Sequence, residues 1–271
     1  MSTDSQWLAT DSQWLATMPE VYDKCLAPAL FAPFAAQLAA SVATLAPGRV
    51  LELAAGTGAL TAELVRVLPD AEITATDLNP AMVSWAAARI PGPTWSQADA
   101  QRLDLPDGGF DLVVCQFGVM FFPDKPAAFA EAARVLAPGA TLLFTVWDAV
   151  EASDFPAALV DSLAAVLPGD LPDFVVRVPH GYGDPVRITA DLHTGGLVVD
   201  SIERVVLRGR STAQALAEGF CLGTPLRFAL QERGELEGLT RSLREEMITR
   251  LGDGPVEGDL AAYLVSAHKP S

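Results

Sequence analysis

The segment Val50-Leu51-Glu52-Leu53-Ala54-Ala55-Gly56-Thr57-Gly58 constrains the fold of this 271-residue chain more than any other. A short apolar run that breaks into a glycine turn reads as a buried strand, and the following residues, about Leu60 to Leu68, read as a helix ended by Pro69-Asp70. The pattern then repeats. Ile73-Thr74-Ala75-Thr76 is a strand closed by Asp77, Asn79-Pro80 opens a helix reaching Ile90, and Thr94-Trp95-Ser96-Gln97 is a third strand ending at Asp99. Phe110 to Cys115 is a central strand, Lys125 to Leu136 a helix, and Thr141 to Trp147 a fifth strand. Alternating strands and helices of this kind predict an α/β fold with a parallel sheet.

Beyond Asp148 the rhythm changes to proline-broken segments over 151–186, a short helix near 187–195 and a sixth strand over 197–207. Helices across 212–222 and 226–250 and a last strand from Leu260 to Ala267 complete the chain. With no Pro/Gly/Ser-rich linker between them, these parts are expected to form one decorated domain. It comprises an amino-terminal tail and helical cap (1–47), a ligand-binding core (48–148) and a remainder (149–271) that carries cap insertions at about 151–186 and 211–250 and the last two strands.

In an open parallel sheet the ligand lies at the carboxyl ends of the strands. The residues there are Glu52, Asp77, Asp99 and Gln116. Gly56-x-Gly58 alone suits either a dinucleotide or another nucleoside, but a carboxylate four residues before Gly56 repels a pyrophosphate and attracts an ammonium or sulfonium. Thr61 also stands where the dinucleotide fingerprint wants its third Gly or Ala. A cation-bearing nucleoside therefore fits better than NAD. Asp77, 19 residues after Gly58, can accept two hydrogen bonds from a ribose diol, and Asp99 beside the Ala100 N–H can pair with an adenine edge.

Composition removes other classes. The chain has 18 basic and 34 acidic residues, a formal charge of −16, and only three lysines, so a phosphate-gripping surface for nucleic acid is excluded. Cys25, Cys115 and Cys221 are far apart and lack metal-ligand spacing, which predicts no metal, no disulfide framework and a reducing, cytoplasmic setting. No Lys or Arg precedes Lys24, so a secretory signal is not expected. Leu26 to Gly48 is uncharged, yet Pro28, Pro33, Gln37, Ser41 and Thr44 mark it as a buried helix rather than a membrane span. Residues 3–9 are repeated at 10–16, which on a helix sets Trp7 and Trp14 on one side; a tail produced by duplication is the simpler reading.

Taken together, Val50 to Gly58, Thr76-Asp77-Leu78-Asn79-Pro80-Ala81-Met82, Ala98-Asp99-Ala100, Phe110 to Phe117 and Arg134-Val135-Leu136-Ala137-Pro138-Gly139 resemble the class I S-adenosylmethionine-dependent methyltransferases, in particular the small-molecule, quinone-methylating branch. The resemblance implies a Rossmann-like, doubly wound seven-stranded sheet whose last strand is antiparallel, with helical cap insertions. It implies S-adenosylmethionine as cofactor and S-adenosylhomocysteine as product. The methionine end would lie on Glu52 and the turn Ala54, Gly56, Thr57 and Gly58, the ribose on Asp77, and the adenine against Leu78, Asp99 and Ala100, with Met82 also at the cofactor. Gln116 and Phe117 would face the methyl group, and Tyr22 would touch the cofactor from the amino-terminal helix. Ala54 replaces the family's first glycine; a strand-end backbone with ordinary φ is expected there, with weaker or shifted cofactor contact at most.

Methyl transfer is an in-line displacement that needs alignment and dryness more than a nucleophile. No Asn-Pro-Pro-Tyr or Asp-Pro-Pro-Tyr sequence follows the fourth strand. Phe117, Phe121, Trp147 and Tyr182, with Phe122, Phe155, Phe174 and Phe220 nearby in sequence or in the inserts, predict a small apolar or aromatic acceptor such as a quinone, phenol, lipid or secondary metabolite. His180, in the proline-broken cap, is the candidate base should the acceptor need one. The expected assembly is a monomer or homodimer without nucleic acid. Two alternatives remain at this stage, a protein that binds the same cofactor for another reaction or as a binding module, and a nicotinamide oxidoreductase.

Overall fold

The computed structural model describes residues 12–271, with side chains from Thr17 onward; the first copy of the duplicated heptapeptide, with Trp7, and the side chain of Trp14 in the second lie outside what it describes. Seven strands form one sheet in the order β3-β2-β1-β4-β5-β7-β6. They are β1 (Arg49–Glu52), β2 (Glu72–Asp77), β3 (Thr94–Gln97), β4 (Phe110–Gln116), β5 (Leu136–Trp147), β6 (Val198–Thr212) and β7 (Pro255–His268). The first five pair in parallel, and β7 runs antiparallel to both β5 and β6. The helices are α1 (Ser12–Cys25), α2 (Ala32–Leu45), α3 (Ala59–Val67), α4 (Pro80–Ala87), α5 (Lys125–Val135), α6 (Asp154–Val166), α7 (Phe174–Arg177), α8 (Pro185–Thr194), α9 (Ala213–Gly223), α10 (Leu226–Gln231) and α11 (Leu236–Leu251).

The central strand β4 shows why the sheet is covered on both faces. Leu112 and Val114 pack with Val50, with Leu38, Ala39 and Val42 of α2 and with Leu60 and Leu64 of α3, whereas Val113 and Cys115 join the larger core formed with α5, α6, α8 and α9. A strand buried on both sides reads as a continuous apolar run, as Leu112-Val113-Val114-Cys115 does. The uncharged segment behaves accordingly. Ala27–Leu45 is long and apolar enough to cross a membrane, but Phe34, Ala35, Leu38, Ala39 and Val42 bury one face against the sheet. It is also not one regular helix, because Ala27–Phe31 forms a π-helical turn between α1 and α2.

Several boundaries differ from those expected. The strands β6 and β7 extend past 207 and begin before 260, because Arg208 pairs with Asp259 at 3.0 Å and Arg210 with Glu257 at 2.7 Å across the extra turns of ladder. Gly209 and Gly258 face each other there, and a side chain on either would meet the ring of Phe155. Phe155 is thus wedged into the core, not presented to an acceptor, and Phe220 on α9 is likewise a core residue. The expected helix over 226–250 is two helices, since Glu235 caps a new one by accepting from the Glu237 and Gly238 N–H groups.

Candidate functional site

At the end of β1, Glu52 is 1% exposed, and its Oε2 accepts a hydrogen bond from Thr61 Oγ1 at 2.6 Å. Burial pushes its carboxyl up to about 8; the Thr61 hydroxyl opposes that rise and the nearby Asp77 adds to it. Asp77, at the end of β2, accepts from the Gly56 N–H through Oδ2 and from the Asn79 N–H through Oδ1, each at 2.8 Å. Burial raises its carboxyl as well, against the pull of those two amides. A buried carboxyl and a half-buried one therefore meet at one turn. Tyr22 of α1 lies near Asp77, its phenol raised first by burial and then by the charge of Asp77.

The turn is shaped to leave room. Gly56 has φ +58° and nothing within 4 Å of where a side chain would sit. Gly58, by contrast, has φ +90° and is closed in by Ile90, Trp95 and Ala86, so its smallness serves helix packing. Between them the Thr57 Oγ1 is buried with no hydrogen-bond partner. A buried orphan hydroxyl on the turn held by Asp77 is a group that a polar ligand can satisfy. Ala54 corrects an expectation: its φ is +53°, in the left-handed region, so this alanine is strained where the family's glycine would be relaxed. A side chain on Gly118 would run into Ala54 Cβ, and the bare glycine is what admits the alanine methyl.

Beyond β2, Leu78 is 46% exposed, an apolar side chain left open at a strand end. Met82 is buried against Met18 and Tyr22 of α1, and Ala100 is buried next to Asp99, whose Oδ1 accepts from the Gln101 N–H at 2.9 Å. The opposite wall is aromatic. Phe117, with φ +54°, donates its N–H to Thr145 and stacks on Trp147 at 3.7 Å and 8°. Phe34 meets both rings edge-on at 5.1 and 5.4 Å, while Phe31 tilts against both and stacks on Tyr22 at 5.2 Å. Gln116 donates to the Phe31 carbonyl at 2.8 Å and so ties the amino-terminal segment to the end of β4. His180 lies 6.0 Å from Trp147, with Nδ1 2.8 Å from the Asp148 carbonyl oxygen; burial lowers its imidazole below the usual range.

Residues 51–144 match the family model described as a methyltransferase domain. This segment is a methyltransferase domain. The domain is similar to the demethylmenaquinone methyltransferase of Thermus thermophilus, 42% identical over 102 residues that make up 36% of this chain and 46% of that protein. It is also similar to the malonyl-[acyl-carrier protein] O-methyltransferase of Halorhodospira halophila, 38% identical over 37% of this chain and 35% of that one. The chain thus spans less than half the length of these curated relatives. Among solved structures, the YcgJ protein of Bacillus subtilis superposes with a TM-score of 0.58 at 19% identity, covering 88% of this chain and 99% of that one, which shows the Rossmann-like fold.

Around the methyltransferase domain, with Tyr22 and Trp147 contributed from outside it, the structure brings together Tyr22, Glu52, Ala54, Gly56, Thr57, Gly58, Asp77 and Met82 on one side and Gln116, Phe117 and Trp147 on the other. Two acceptor candidates are placed elsewhere. Tyr182 donates to Asp191 at 2.8 Å and its ring faces Lys125 and Arg187, so it ties α8 to α5. Phe121 is 49% exposed and outside the stack. Among the described residues no three His, Cys, Asp or Glu side chains are grouped to hold a metal ion. The sequence reading missed Thr61 as the partner of Glu52 and Phe31 and Phe34 as parts of the aromatic wall. Their signals were a Thr in the apolar run Ala59-Leu60-Thr61-Ala62 opposite a buried acid, and two Phe three residues apart on one helical face.

Proposed function

We propose that the chain is an S-adenosylmethionine-dependent methyltransferase acting on a small apolar or aromatic molecule. The observation that carries this reading is the buried Glu52 carboxyl and the half-buried Asp77 carboxyl at one glycine turn, which also holds the orphan Thr57 hydroxyl, an acidic site suited to a cationic ligand. Glu52 and the turn Ala54, Gly56, Thr57 and Gly58 hold the methionine end, and Asp77 the ribose. Leu78, Met82, Asp99 and Ala100 enclose the adenine. When bound, the cofactor supplies an electrophilic methyl group on a sulfonium. The chain's own residues orient and dry the site: Tyr22 and Phe31 cover it from the amino-terminal side, and Phe117 with Trp147 offers a flat aromatic wall to the acceptor.

His180 suits the role of base toward a hydroxyl or carbon acid. With Nδ1 donating to the Asp148 carbonyl, its Nε2 holds the free lone pair, and its lowered pKa keeps the ring neutral near pH 7. Three buried, unpaired cysteines fit a cytoplasmic protein. Quinones and phenols lead the candidate acceptors because the relatives include quinone methyltransferases and the wall is aromatic. The test is thermal unfolding with S-adenosylmethionine, S-adenosylhomocysteine and NAD, followed by a mass-shift screen of acceptors with labelled cofactor. Stabilisation by the first two ligands is expected; stabilisation by NAD alone would overturn the reading.

A further inference from the structure

The dinucleotide fingerprint asks for a Gly or Ala three residues after the second glycine of the turn, where helix and strand meet closely. Here the place is Thr61, fully buried in the first turn of α3, and its hydroxyl is spent on the Glu52 carboxyl. The other titratable groups facing Glu52 are Asp77 from β2 and Cys115 from β4, with Tyr22 from α1 beside Asp77. All of them become anions or stay neutral. No Lys, Arg or His among the described residues pairs with Glu52, so the only help its ionised form receives from a side chain is the Thr61 hydrogen bond.

We propose that Thr61 is a specificity-determining residue of the cofactor site: its hydroxyl aligns the Glu52 carboxylate and favours its ionised form, so that the site selects nucleosides whose arm carries an ammonium or sulfonium over those with no cationic centre. This rests on the reading that the site holds S-adenosylmethionine. A charge-assisted hydrogen bond at 2.6 Å stabilises the ionised acceptor far more than the protonated one. In the unliganded protein Glu52 titrates at about 8 and is protonated at neutral pH. A cationic ligand displaces that proton, so binding releases it, and affinity rises with pH until Glu52 is already ionised.

Calorimetric titration of the full chain tests this, in two buffers of different ionisation enthalpy and from mildly acidic to mildly alkaline pH. The probes are S-adenosylhomocysteine, which carries an ammonium, and methylthioadenosine, which shares its nucleoside and thioether but has no amino-acid arm. The wild-type chain is expected to release a proton on binding the first, fading as pH passes about 8, and none on binding the second. Thr61→Val, close in shape but without the donor, should weaken the first about tenfold or more, move its proton release to higher pH and leave the second unchanged. Thr61→Ser should restore both properties. Equal losses for the two ligands, or a Val variant that binds S-adenosylhomocysteine like the wild type, overturns the role of Thr61. The wild-type comparison needs no variant to fold: equal proton release for both ligands, or none for S-adenosylhomocysteine, overturns it as well. Failure of the wild-type chain to bind either S-adenosylmethionine or S-adenosylhomocysteine instead removes the cofactor reading itself.

Discussion

Glu52 and Gln116-Phe117 stand at the ends of neighbouring strands, β1 and β4, yet the walls they begin are assembled differently. The carboxyl wall is held by contacts short in sequence: Thr61 to Glu52 spans nine residues, Asn79 to Asp77 two, and Gly56 to Asp77 twenty-one. The aromatic wall gathers Phe31, Phe34, Phe117, Trp147 and His180 from five separate segments. Local polar contacts make the carboxyl wall legible from short stretches of sequence. Rings brought together by tertiary packing leave no such local signature.

The largest effect that separates the walls is Trp147→Ala. Trp147 is 5% exposed and stacked on Phe117, so its loss should cost about 3–5 kcal/mol of unfolding free energy by denaturant titration. Cofactor affinity should change by no more than a few-fold. A collapse of cofactor binding in a still-folded variant would show that the two walls are one unit.

Next comes Glu52, whose burial makes the carboxyl wall a source of instability as well as binding. Its folded value of about 8 lies above the ordinary 4.5, so the stability it contributes is fully present below about 4.5 and is lost as pH rises through about 8. Glu52→Gln cannot titrate, and Thr61 can accept from its amide. Below about pH 4.5 the two proteins should unfold alike, and above about 8 the variant should be the more stable by a few kcal/mol while binding S-adenosylmethionine worse. Urea unfolding at both extremes measures this; parallel pH profiles would contradict a buried, titrating Glu52.

Asp77→Ala should weaken S-adenosylmethionine binding by about 1–3 kcal/mol through lost charged hydrogen bonds. Because Asp77 also holds the Gly56 and Asn79 amides, the variant should lose stability without ligand, as a purely ligand-facing acid would not. An unchanged dissociation constant by calorimetry would remove Asp77 from the site.

The contrast between the walls also explains what could be read in the chain. The strand ends, Asn79 as a cap and the acids at the strand ends follow from period, turn residues and charge, all local signals. Thr61 looked like a gap in another family's fingerprint, because its meaning depends on a carboxyl across the strand-helix junction. Phe155 and Tyr182 were expected at the acceptor, but two facing glycines in β6 and β7 and a carboxylate on α8 claim them. Such claims pass between residues far apart in sequence, and composition cannot express them.

Ala54 carries the smallest effect and the finest test of the carboxyl wall. Its left-handed φ of +53° costs an alanine about 1 kcal/mol, while a glycine costs about 0.5–1 kcal/mol more to order on folding. The two nearly cancel, so Ala54→Gly should stabilise the protein by about 0.5 kcal/mol or less and leave cofactor affinity unchanged. Its consequence appears at Gly118, where an added methyl runs into Ala54 Cβ and comes within 2.7 Å of Cys115 Sγ. Gly118→Ala alone should cost about 1–3 kcal/mol by overpacking, and less in the Ala54→Gly background, where one of the two collisions is gone. Strict additivity across the four proteins in urea unfolding would mean that Ala54 and Gly118 do not touch. A positive coupling shows that the chain accommodates a strained alanine at its cofactor turn by keeping the residue after Phe117 bare.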